Sequence, residues 1–420
     1  LPPMTQAPAA PPRPALRFAE FVTLIAALMA LTALSIDVML PALPQMRAEF
    51  GVLDANRQQL VLTSYVMGFA IGQLFHGPLS DWLGRKPVLL AGLAVYALAS
   101  FACLIAQSFD FLLAARFLQG LANAAPRVVA VAVVRDTFGG RRMAEVMSFV
   151  MMVFIVVPVV APTIGGAFLL VGSWHLIFAF LCLFALAVLV WAALRLPETH
   201  PAATREPLTL GWVARAFGQA ITTPQTCGYT LATGVVFGSL MGYINSAQQI
   251  FVEAYAAGGW FPVLFGCVAV TLVFSALFNS RFVMQLGMRR VSHAAILGFC
   301  ATTVLHLAID LAFGQPPLPV FVGLLALTLF CFGLIMPNFN AIAMEPMGRI
   351  AGTASSFFGA VTTGVGAVLG LWIGQQYDGS VTPLLAGFAA FGLAGLAIVL
   401  VTERGKLFRS GHPADAPAAE

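Results

Sequence analysis

Long apolar runs recur along the whole chain, and each is about the length that an α-helix needs to cross a lipid bilayer. A spanning helix takes about 20 residues. The first run extends from Phe18 to Leu40, and further runs follow as far as residue 402, with short polar segments between them. Because 420 residues leave room for about twelve such helices, the sequence predicts an all-α membrane protein with twelve transmembrane helices.

The scarcity of charged residues excludes the soluble classes of protein. The chain is 60% hydrophobic and 9% charged, whereas a soluble domain carries roughly 25% charged residues. The six cysteines lie inside apolar runs without paired or metal-ligand spacing, so we expect neither disulfides nor a metal site. The net charge of +4 does not indicate a nucleic-acid partner, because the basic residues are sorted by loop.

The distribution of basic residues predicts the orientation of the chain. All but four of the 21 Lys and Arg residues lie in loops or termini on one side of the predicted layout. Arg47 and Arg57 lie on the other side, and Arg116 and Arg127 lie within a predicted span. Since basic residues collect on the cytoplasmic side of a membrane protein, both termini are predicted to be cytoplasmic.

The predicted spans fall into two halves of six, joined by one long polar segment. This layout is typical of a transporter whose halves rock around a central site. Within the segment, Leu208–Phe217 is predicted to form a short amphipathic helix on the membrane surface. The predicted parts are a disordered cytoplasmic N-terminus (1–17), a first six-helix bundle (18–195), a cytoplasmic connector (196–223), a second six-helix bundle (224–403) and a cytoplasmic tail (404–420).

A charged segment, 77–86, separates the second and third predicted spans. Its two glycines permit a tight turn, and Arg85 places the turn on the cytoplasmic side. Asp81 is expected to pair with a helix end or a neighbouring cation. The segment 279–290 repeats the Gly-plus-basic ending in the second half, but it has no acid in the place of Asp81.

Ionisable residues inside a bilayer are candidates for function, because each costs about 2.5–3.5 kcal/mol on insertion scales. Asp37 lies near the outer end of helix 1, and Arg116 lies about six residues, roughly 9 Å, below the outer surface on helix 4. We therefore expect the two to pair, with a proton or a cationic substrate competing for the carboxylate. The alternative is an Asp37 that is exposed to water at the helix end.

Helix 4 carries a polar stripe. Arg116, Gly120, Asn123 and Arg127 fall on one helical face, at spacings of 4, 3 and 4 residues. Such a stripe must face protein or water. It predicts a cavity that is electropositive near its inner half and favours anionic, zwitterionic or strongly hydrogen-bond-accepting substrates. Glu145 or a phospholipid could instead neutralise Arg127.

Four further residues are candidates for the cavity wall. They are Tyr65 on helix 2, Asn245 and Gln248 on the outer part of helix 7, and Asn338 on the inner part of helix 10. Amides inside membranes also form interhelical hydrogen bonds worth about 0.6 kcal/mol, so both interpretations stay open for the three amides. For Tyr65 the alternative is packing.

Helix 5 combines two prolines with two adjacent glycines. Pro158 and Pro162 remove two hydrogen bonds of the helix and let it bend. Gly165 and Gly166 allow a neighbouring helix to approach closely. With the glycines of helix 11, they are predicted to form contacts on which the two halves move, rather than contacts to a ligand.

Together these stretches resemble the drug:proton antiporters of the major facilitator superfamily. Three motifs of that group are similar to the segment 77–86, to Arg116–Gly120 and to the Pro/Gly pattern of helix 5. Four further segments look like the bicyclomycin/chloramphenicol (Bcr/CflA) resistance branch, namely 35–44, 134–136, 279–283 and 351–356. The resemblance covers about residues 20–405.

The resemblance implies two pseudo-symmetric six-helix bundles and proton-driven efflux across the bacterial inner membrane. Asp37 takes the place of the helix-1 acid that is linked to proton and drug binding, and Arg116 that of the helix-4 arginine. Asp81, Arg85 and Asp136 take the intracellular charge network that stabilises the outward-open state. Gly77 and Gly84 belong to the same motif as Asp81 and Arg85.

Helix 5 matches the antiporter motif through Pro158, Pro162, Gly165 and Gly166, although Val157 replaces the usual glycine before Pro158. Pro126 and Arg127 also depart from the family pattern, in which small or apolar residues are more usual. This departure weakens any transfer of substrate from the family to this chain.

The predicted function is export of small molecules, expected to be drugs, in exchange for protons, with no cofactor besides the proton gradient. The expected partners are a small-molecule substrate, protons and lipids, without nucleic acid, and the expected state is a monomer. The alternative on the same fold is export or uptake of a small metabolite, such as an amino acid or a siderophore-like anion. An intramembrane enzyme would need a nucleophile–base pair or a metal cluster, and the sequence has neither at workable spacing.

Overall fold

Twelve long helices account for most of the structure, a computed structural model that describes residues 16–201 and 210–408. Among these residues, eleven helices are long and apolar enough to span a membrane, and the twelfth, α5, contributes the shorter apolar stretch Val156–Val171. The predictions for residues 1–15, 202–209 and 409–420 lie outside the described residues. The helices are α1 Phe18–Asp37, α2 Leu60–Leu83, α3 Arg85–Leu104, α4 Phe109–Thr137, α5 Gly140–Val171, α6 His175–Arg195, α7 Pro224–Gln249, α8 Phe261–Leu286, α9 Met288–Phe313, α10 Leu318–Met344, α11 Ala351–Gln375 and α12 Thr382–Thr402.

Short helical segments lie between several of these long helices. After α1 the chain continues as a 3-10 turn and a short helix. α1 itself ends at Asp37, three residues before the predicted end of the first span at Leu40. A π-helical turn extends α7. The short segments are Leu40–Ala42, Leu43–Glu49, Ala55–Gln59, Ile250–Ala254, Gly258–Trp260, Glu345–Ile350 and the connector helix Leu210–Thr222.

The two halves pack in the same way. In the first bundle α1 packs on α5, α2 on α4, and α3 on α4 and α6. The equivalent pairs recur in the second bundle, where α7 packs on α11, α8 on α10, and α9 on α10 and α12. The bundles meet through α2 on α11 and α5 on α8, which are themselves equivalent pairs. The expected fold of two pseudo-symmetric six-helix bundles is therefore confirmed.

The segment 77–86 is a one-residue turn rather than the predicted loop. α2 continues through Pro78 as far as Leu83, and α3 begins at Arg85. Only Gly84 lies between them, with φ +103°, in a region that favours glycine because other residues clash there. Gly287, with φ +82°, makes the equivalent turn between α8 and α9. Most of the segment that was expected to separate the two spans therefore belongs to α2, because Pro78 does not interrupt the helix.

The molecule has two ends, which we call the basic face and the far face. The basic face carries Arg85, Arg135 and Arg289, at the ends of α3, α4 and α9. The far face carries Gln59, before α2, and Gln375, at the end of α11.

The connector helix is part of the second bundle. The ring of its Phe217 lies 5.8 Å from that of Phe357 on α11. Ala220 is fully buried against Met347 and Ala354. The predicted helix is present as Leu210–Thr222, and part of its apolar side packs on the second bundle; its place at the membrane surface stays a prediction.

The two adjacent glycines of α5 have different environments, and both prolines lie within the continuous helix. A Cβ on Gly165 would lie 1.8 Å from the carbonyl oxygen of Val38, whereas a Cβ on Gly166 would meet nothing within 4 Å. Only Gly165 therefore provides the predicted close approach. The segment that approaches it is the end of α1, at Val38. The prediction for Gly166 was wrong because its Cα faces open space.

This difference gives a matched pair of variants. We expect Gly165→Ala to destabilise the protein by about 1–3 kcal/mol, since the added methyl forces α5 away from the end of α1. Gly166→Ala should be neutral or stabilise by up to about 1 kcal/mol, because alanine favours the helix. Thermal unfolding of both variants in one detergent measures the difference. Equal effects on the two variants would contradict this packing.

Candidate functional site

Asp37 is a buried acid at the end of α1. Its exposed fraction is 4%, and within residues 16–201 and 210–408 no side chain or backbone N–H donates a hydrogen bond to its carboxylate or pairs with it. A buried charge without a partner is costly, so this position is a strong candidate for function.

Arg116 on α4 does not pair with Asp37 in the described structure. The Arg116 side chain is fully buried, and its guanidinium donates to the carbonyl oxygens of Val61 at 3.1 Å and Ser35 at 3.0 Å, and to the side chain of Gln119. The expected ion pair is therefore corrected. Because the donors of Arg116 are directed to backbone carbonyls and an amide, the cation fixes the last turn of α1 instead of neutralising the acid.

The neighbours of Arg116 complete a polar network inside the first bundle. Gln119 donates to Ser100 on α3 at 2.7 Å, and the hydroxyls of Ser35 and Tyr96 are 2.6 Å apart. The guanidinium carbon lies 4.5 Å from the centre of the Tyr65 ring, a distance at which a cation is attracted to the aromatic face. This network joins α1, α2, α3 and α4. Its member on α1, Ser35, lies two residues before Asp37.

The polar stripe of α4 becomes more exposed towards the basic face. Arg116 and Asn123 are buried, Arg127 and Val131 are half-buried, and Arg135 is exposed. The Nη1 atom of Arg127 donates to the sulfur of Met29 on α1 at 3.2 Å. The stripe therefore extends from the buried level of Arg116 to the surface at the basic face.

Asn123 and Tyr65 form the middle of the stripe. The amide nitrogen of Asn123 donates to Tyr65 and to Thr32 on α1, but its oxygen Oδ1 is buried and has no partner among the residues described. The ring of Tyr65 stacks on Phe69 with the centroids 6.3 Å apart. Asn123 therefore leaves one acceptor unfilled at the junction of α1, α2 and α4.

Three polar residues of the second bundle were not predicted from the sequence. The hydroxyls of Ser239 and Tyr243 on α7 and of Thr362 on α11 are buried, and none has a partner in the described part of the chain. Ser239 and Tyr243 are four residues apart and therefore share a face of α7. The i, i+4 spacing of two polar residues in an apolar span was the signal that could have identified them.

Glutamine and asparagine side chains close the far face between the bundles. Gln58 donates to Gln248 at 3.3 Å, and Gln59 donates to Gln249 at 2.7 Å and to the carbonyl of Gly374 at 3.0 Å. Further cross-bundle hydrogen bonds link Asn56 to Gln249, Gln375 and Tyr377. We call this set the amide gate. Gln248, a candidate for the cavity wall, belongs to this gate.

Among the described residues, the side chains that form the amide gate are amides and one phenol. Its one phenol, Tyr377, donates to the carbonyl of Gln249 at 3.2 Å. Burial raises the pKa of Tyr377 to about 12, so this donor stays protonated over the physiological range. The hydrogen-bonding side chains of the gate are therefore neutral at physiological pH, although two acids, Glu253 and Asp378, interact with Tyr377.

Two other candidates for the cavity wall lie between helices. Asn245 is buried beside Gly374 of α11. Asn338 on α10 donates to Asn279 on α8 at 2.6 Å and to the carbonyl of Leu334. For Asn338 the structure therefore shows the interhelical hydrogen bond that was the alternative to a ligand contact.

The charged residues of the 77–86 segment meet at the basic face. Arg85 forms ion pairs with Asp81 and, at 2.9 Å, with Asp136 at the end of α4. Glu198 accepts hydrogen bonds from the backbone N–H groups of Arg85 and Lys86. The three residues of the ion pairs belong to the first bundle, and Glu198 lies at the start of the connector. Gly77 instead touches the second, because a Cβ there would lie 2.3 Å from the hydroxyl of Ser356 on α11.

The second bundle has an equivalent network that the sequence did not reveal. Arg289 on α9 pairs with Glu345 at 3.0 Å and Glu403 at 3.3 Å. Tyr229 on α7 donates to Glu403 at 2.7 Å. The acid that is missing from the segment 279–290 is thus supplied by residues that follow α10 and α12.

Comparisons with known proteins agree with this architecture. The sequence profile of the Major Facilitator Superfamily matches residues 25–371. Similar proteins include an uncharacterized MFS-type transporter, YdgK, of Bacillus subtilis (strain 168), with 30% identity over 88% of this chain and 94% of that protein. The bicyclomycin resistance protein homolog of Haemophilus influenzae has 32% identity over 87% of this chain and 91% of that protein.

Two matches of lower sequence identity agree with this result. The multidrug resistance protein MdtL of Escherichia coli (strain K12 / DH10B) has 27% identity over 90% of this chain and 95% of that protein. The crystal structure of the human organic anion transporter MFSD10 superposes with a TM-score of 0.66 at 18% identity, over 91% of this chain and 97% of that one, which supports the fold alone. The relatives confirm the resemblance to the Bcr/CflA branch.

The amide gate predicts how the far face can be opened. Gln59→Leu removes three cross-bundle hydrogen bonds, to Gln249, Gly374 and Gln375, each worth about 1 kcal/mol, and should raise the population that is open at the far face roughly 100-fold. The measurement is the rate at which a membrane-impermeant thiol reagent labels Asn245→Cys in a chain without its native cysteines.

Gln45→Leu is the control, because Gln45 accepts a hydrogen bond from Trp174 at the same face but inside the first bundle. An increase of the same size in this control, or no increase with Gln59→Leu, would rule out a gate between the bundles.

Proposed function

Because the chain belongs to the Major Facilitator Superfamily, we propose that it exports small molecules from a bacterial cytoplasm in exchange for protons. The superfamily consists of transporters, so the alternative of an intramembrane enzyme is excluded. The proposal assigns proton coupling to Asp37, with Arg116 as the residue that positions it.

The carboxylate of Asp37 is the observation that carries the proposal. It is buried, lies at the end of α1 and accepts no hydrogen bond from the described residues. Such a group gains by binding either a proton or a substrate that donates hydrogen bonds. Since either occupant satisfies the same oxygen atoms, the two compete, and competition at one site is sufficient for exchange.

The two ends of the molecule support alternating access. The amide gate joins the bundles at the far face, while the stripe of α4 becomes exposed towards the basic face. We assign the basic face to the cytoplasm from the distribution of basic residues, so cargo enters there. Proton binding from the outside then displaces cargo, and the proton leaves inside when the site reopens. The cycle requires that the two states bind cargo with different affinity.

The motif residues fit this cycle as structural elements. Asp81, Arg85 and Asp136 tie the ends of α2, α3 and α4 together, so that the first bundle moves as a unit. Gly77 lies at the contact between the bundles, as do α5 and α8. We propose that the rigid units are residues 18–195 and 224–403, that the connector is 196–223, and that a monomer in the inner membrane, with no cofactor, carries out transport.

Drugs are the substrate class that the relatives favour. One relative is named for bicyclomycin resistance and another for multidrug resistance. The unfilled acceptor of Asn123 and the buried carboxylate of Asp37 suit a cargo that donates hydrogen bonds. Bicyclomycin, which carries several hydroxyl and amide donors, is therefore the probe that we choose.

Arg127 favours a second candidate function, the export of small anionic metabolites. Its guanidinium is half-buried on the stripe of α4 and lies next to Met29. A cation at this depth would attract a carboxylate that enters from the basic face. The unfilled acceptors near Asp37 favour the first function, and Arg127 favours the second.

The proposed coupling predicts proton release on substrate binding. Bicyclomycin that is added to the detergent-solubilised protein at pH 7 should release protons from the wild type, because cargo displaces the proton of Asp37. Asp37→Asn should release none. A pH-sensitive dye in weak buffer measures the release.

Asp310→Asn is the matched control. Asp310 on α9 is also buried, but it accepts a hydrogen bond from Thr382 at 2.6 Å, and its replacement should leave proton release unchanged. Loss of release in the control, or persistence of release in Asp37→Asn, would count against Asp37 as the coupling residue.

The second candidate function predicts a charge-selective loss in Arg127→Ala. Export of nalidixate, an anion, should fall about tenfold more than export of neutral bicyclomycin, since one charge contact in a partly buried site is worth on the order of 1–4 kcal/mol. Arg57→Ala, which removes a cation beside Phe109 at the far face, should affect both equally. Equal losses in Arg127→Ala would eliminate the anionic function.

A further inference from the structure

We propose that the segment 403–408, which follows α12, is a pH-sensitive latch that stays on the second bundle only while His293 is uncharged. The latch consists of this segment, His293 on α9 and Tyr229 on α7. The inference goes beyond the proposed function, because the latch involves neither the cargo nor Asp37. What it senses is the pH at the basic face.

The segment turns back onto the second bundle against its local preference. The backbone φ is +52° at Arg404 and +66° at Phe408, a region that is strained for residues other than glycine. The ring of Phe408 meets the ring of His293 in a T-shaped contact at 5.8 Å, and Leu407 packs against the buried core. Contacts with the second bundle therefore hold the turn in place.

Two hydrogen bonds define the protonation state of His293, whose side chain is fully buried. The backbone N–H of Phe408 donates to Nδ1 at 3.0 Å, so this nitrogen carries no proton. The hydroxyl of Tyr229 lies 2.8 Å from Nε2 and donates its own proton to Glu403 at 2.7 Å. Because that hydroxyl has only one proton, Nε2 must donate to Tyr229. The imidazole is therefore neutral, with its proton on Nε2.

The charged and titratable groups of this region come from four helices and from the segment itself. They are Tyr229 of α7, Arg289 and the exposed Arg290 of α9, Glu345 after α10, Glu403 after α12, and the exposed Arg404 and Lys406.

These groups act on the charge of His293 in opposite directions. Glu403 is joined to the imidazole through Tyr229, and an ionised carboxylate in that place favours a positive charge. Arg289 opposes it, but this guanidinium is itself paired with Glu403 at 3.3 Å and with Glu345 at 3.0 Å. The exposed cations act through water and salt, which screen them. Protonation of His293 therefore meets a charge partner in the same network.

Protonation of His293 is incompatible with the closed latch. An imidazolium carries a proton on both nitrogens and has no acceptor, so the N–H of Phe408 would face a second donor at Nδ1. Because Nδ1 is engaged by Phe408 in the closed latch, it can take up a proton only when the segment opens. A proton that binds only the open form shifts the equilibrium towards that form. The segment should therefore leave the bundle as the pH at the basic face falls.

The mobility of the segment tests the latch directly. A nitroxide is attached at Lys406→Cys, an exposed position, in the full-length protein without its native cysteines. Electron paramagnetic resonance spectra are recorded in detergent from pH 8 to pH 4.5. The ratio of the mobile to the immobile component should rise about tenfold as the pH falls, because histidine becomes charged in this range, and should reverse when the pH is restored. A ratio that does not change with pH would overturn the proposal.

Two substitutions of His293 separate its charge from its shape. His293→Gln keeps an acceptor and a donor that do not titrate, so the segment should stay immobile at every pH. His293→Phe keeps a ring but has no acceptor, so the segment should be mobile even at pH 8. A transition with pH that persists in His293→Gln, or an immobile segment in His293→Phe at pH 8, would contradict the latch.

Tyr229→Phe is a milder variant, which keeps the ring and its edge contact with Phe339. It removes the hydrogen bond that holds the proton on Nε2, so the neutral imidazole can carry its proton on Nδ1 instead. The mobile component at pH 8 should therefore increase, and an unchanged spectrum would count against the proposal.

His306→Gln is the matched control. His306 is also buried on α9, but it lies more than three turns further along the helix, and its replacement should leave the transition unchanged. Loss of the transition in this control would show that His293 is not the sensor. Because none of these spectra depends on cargo, failure of the latch would leave the proposed function intact.

Discussion

The burial of one carboxylate without a hydrogen-bond donor is the constraint on which the rest of the structure depends. Asp37 lies at the end of α1 with 4% of its surface exposed. An ionised group in such a place is stable only if a proton, a cargo molecule or a second side chain satisfies it. The unsatisfied carboxylate is therefore a binding site, and every occupant competes for the same two oxygen atoms.

The first bundle is built to hold that carboxylate in place. Arg116 fixes the carbonyl of Ser35, two residues before the acid, and Gly165 lets α5 approach Val38, one residue after it. The cation therefore acts as a positioning residue and leaves the carboxylate free. A direct ion pair would have satisfied Asp37 permanently and made it useless as an exchange site.

The contacts between the bundles divide into neutral and charged sets. The hydrogen bonds of the amide gate at the far face are formed by neutral side chains. The ion pairs of Arg85 and Arg289 lie at the basic face, each inside its own bundle. The proposed sensitivity of transport to protons lies at a third place, the buried carboxylate of Asp37 at the end of α1.

The sequence predicts the helices well because the bilayer fixes their length, and a run of about 20 apolar residues has few other solutions. It also predicts which residues are chemically unusual, such as Asp37 and Arg116. It fails where the outcome depends on partners distant in the chain: the pairing of Gln59 with Gln249 joins residues 190 apart, and the carbonyls that bind Arg116 leave no mark in the sequence. Tyr243 was missed because one tyrosine in an apolar span is usually a packing residue.

Transport driven by a pH gradient tests the central claim most directly. Proteoliposomes that hold the wild type should accumulate bicyclomycin against its gradient when the interior is acidic, and those with Asp37→Asn should only equilibrate it. The account predicts that the variant keeps downhill flux but loses accumulation, since the amide cannot bind and release a proton. Accumulation by Asp37→Asn at the wild-type level would contradict it.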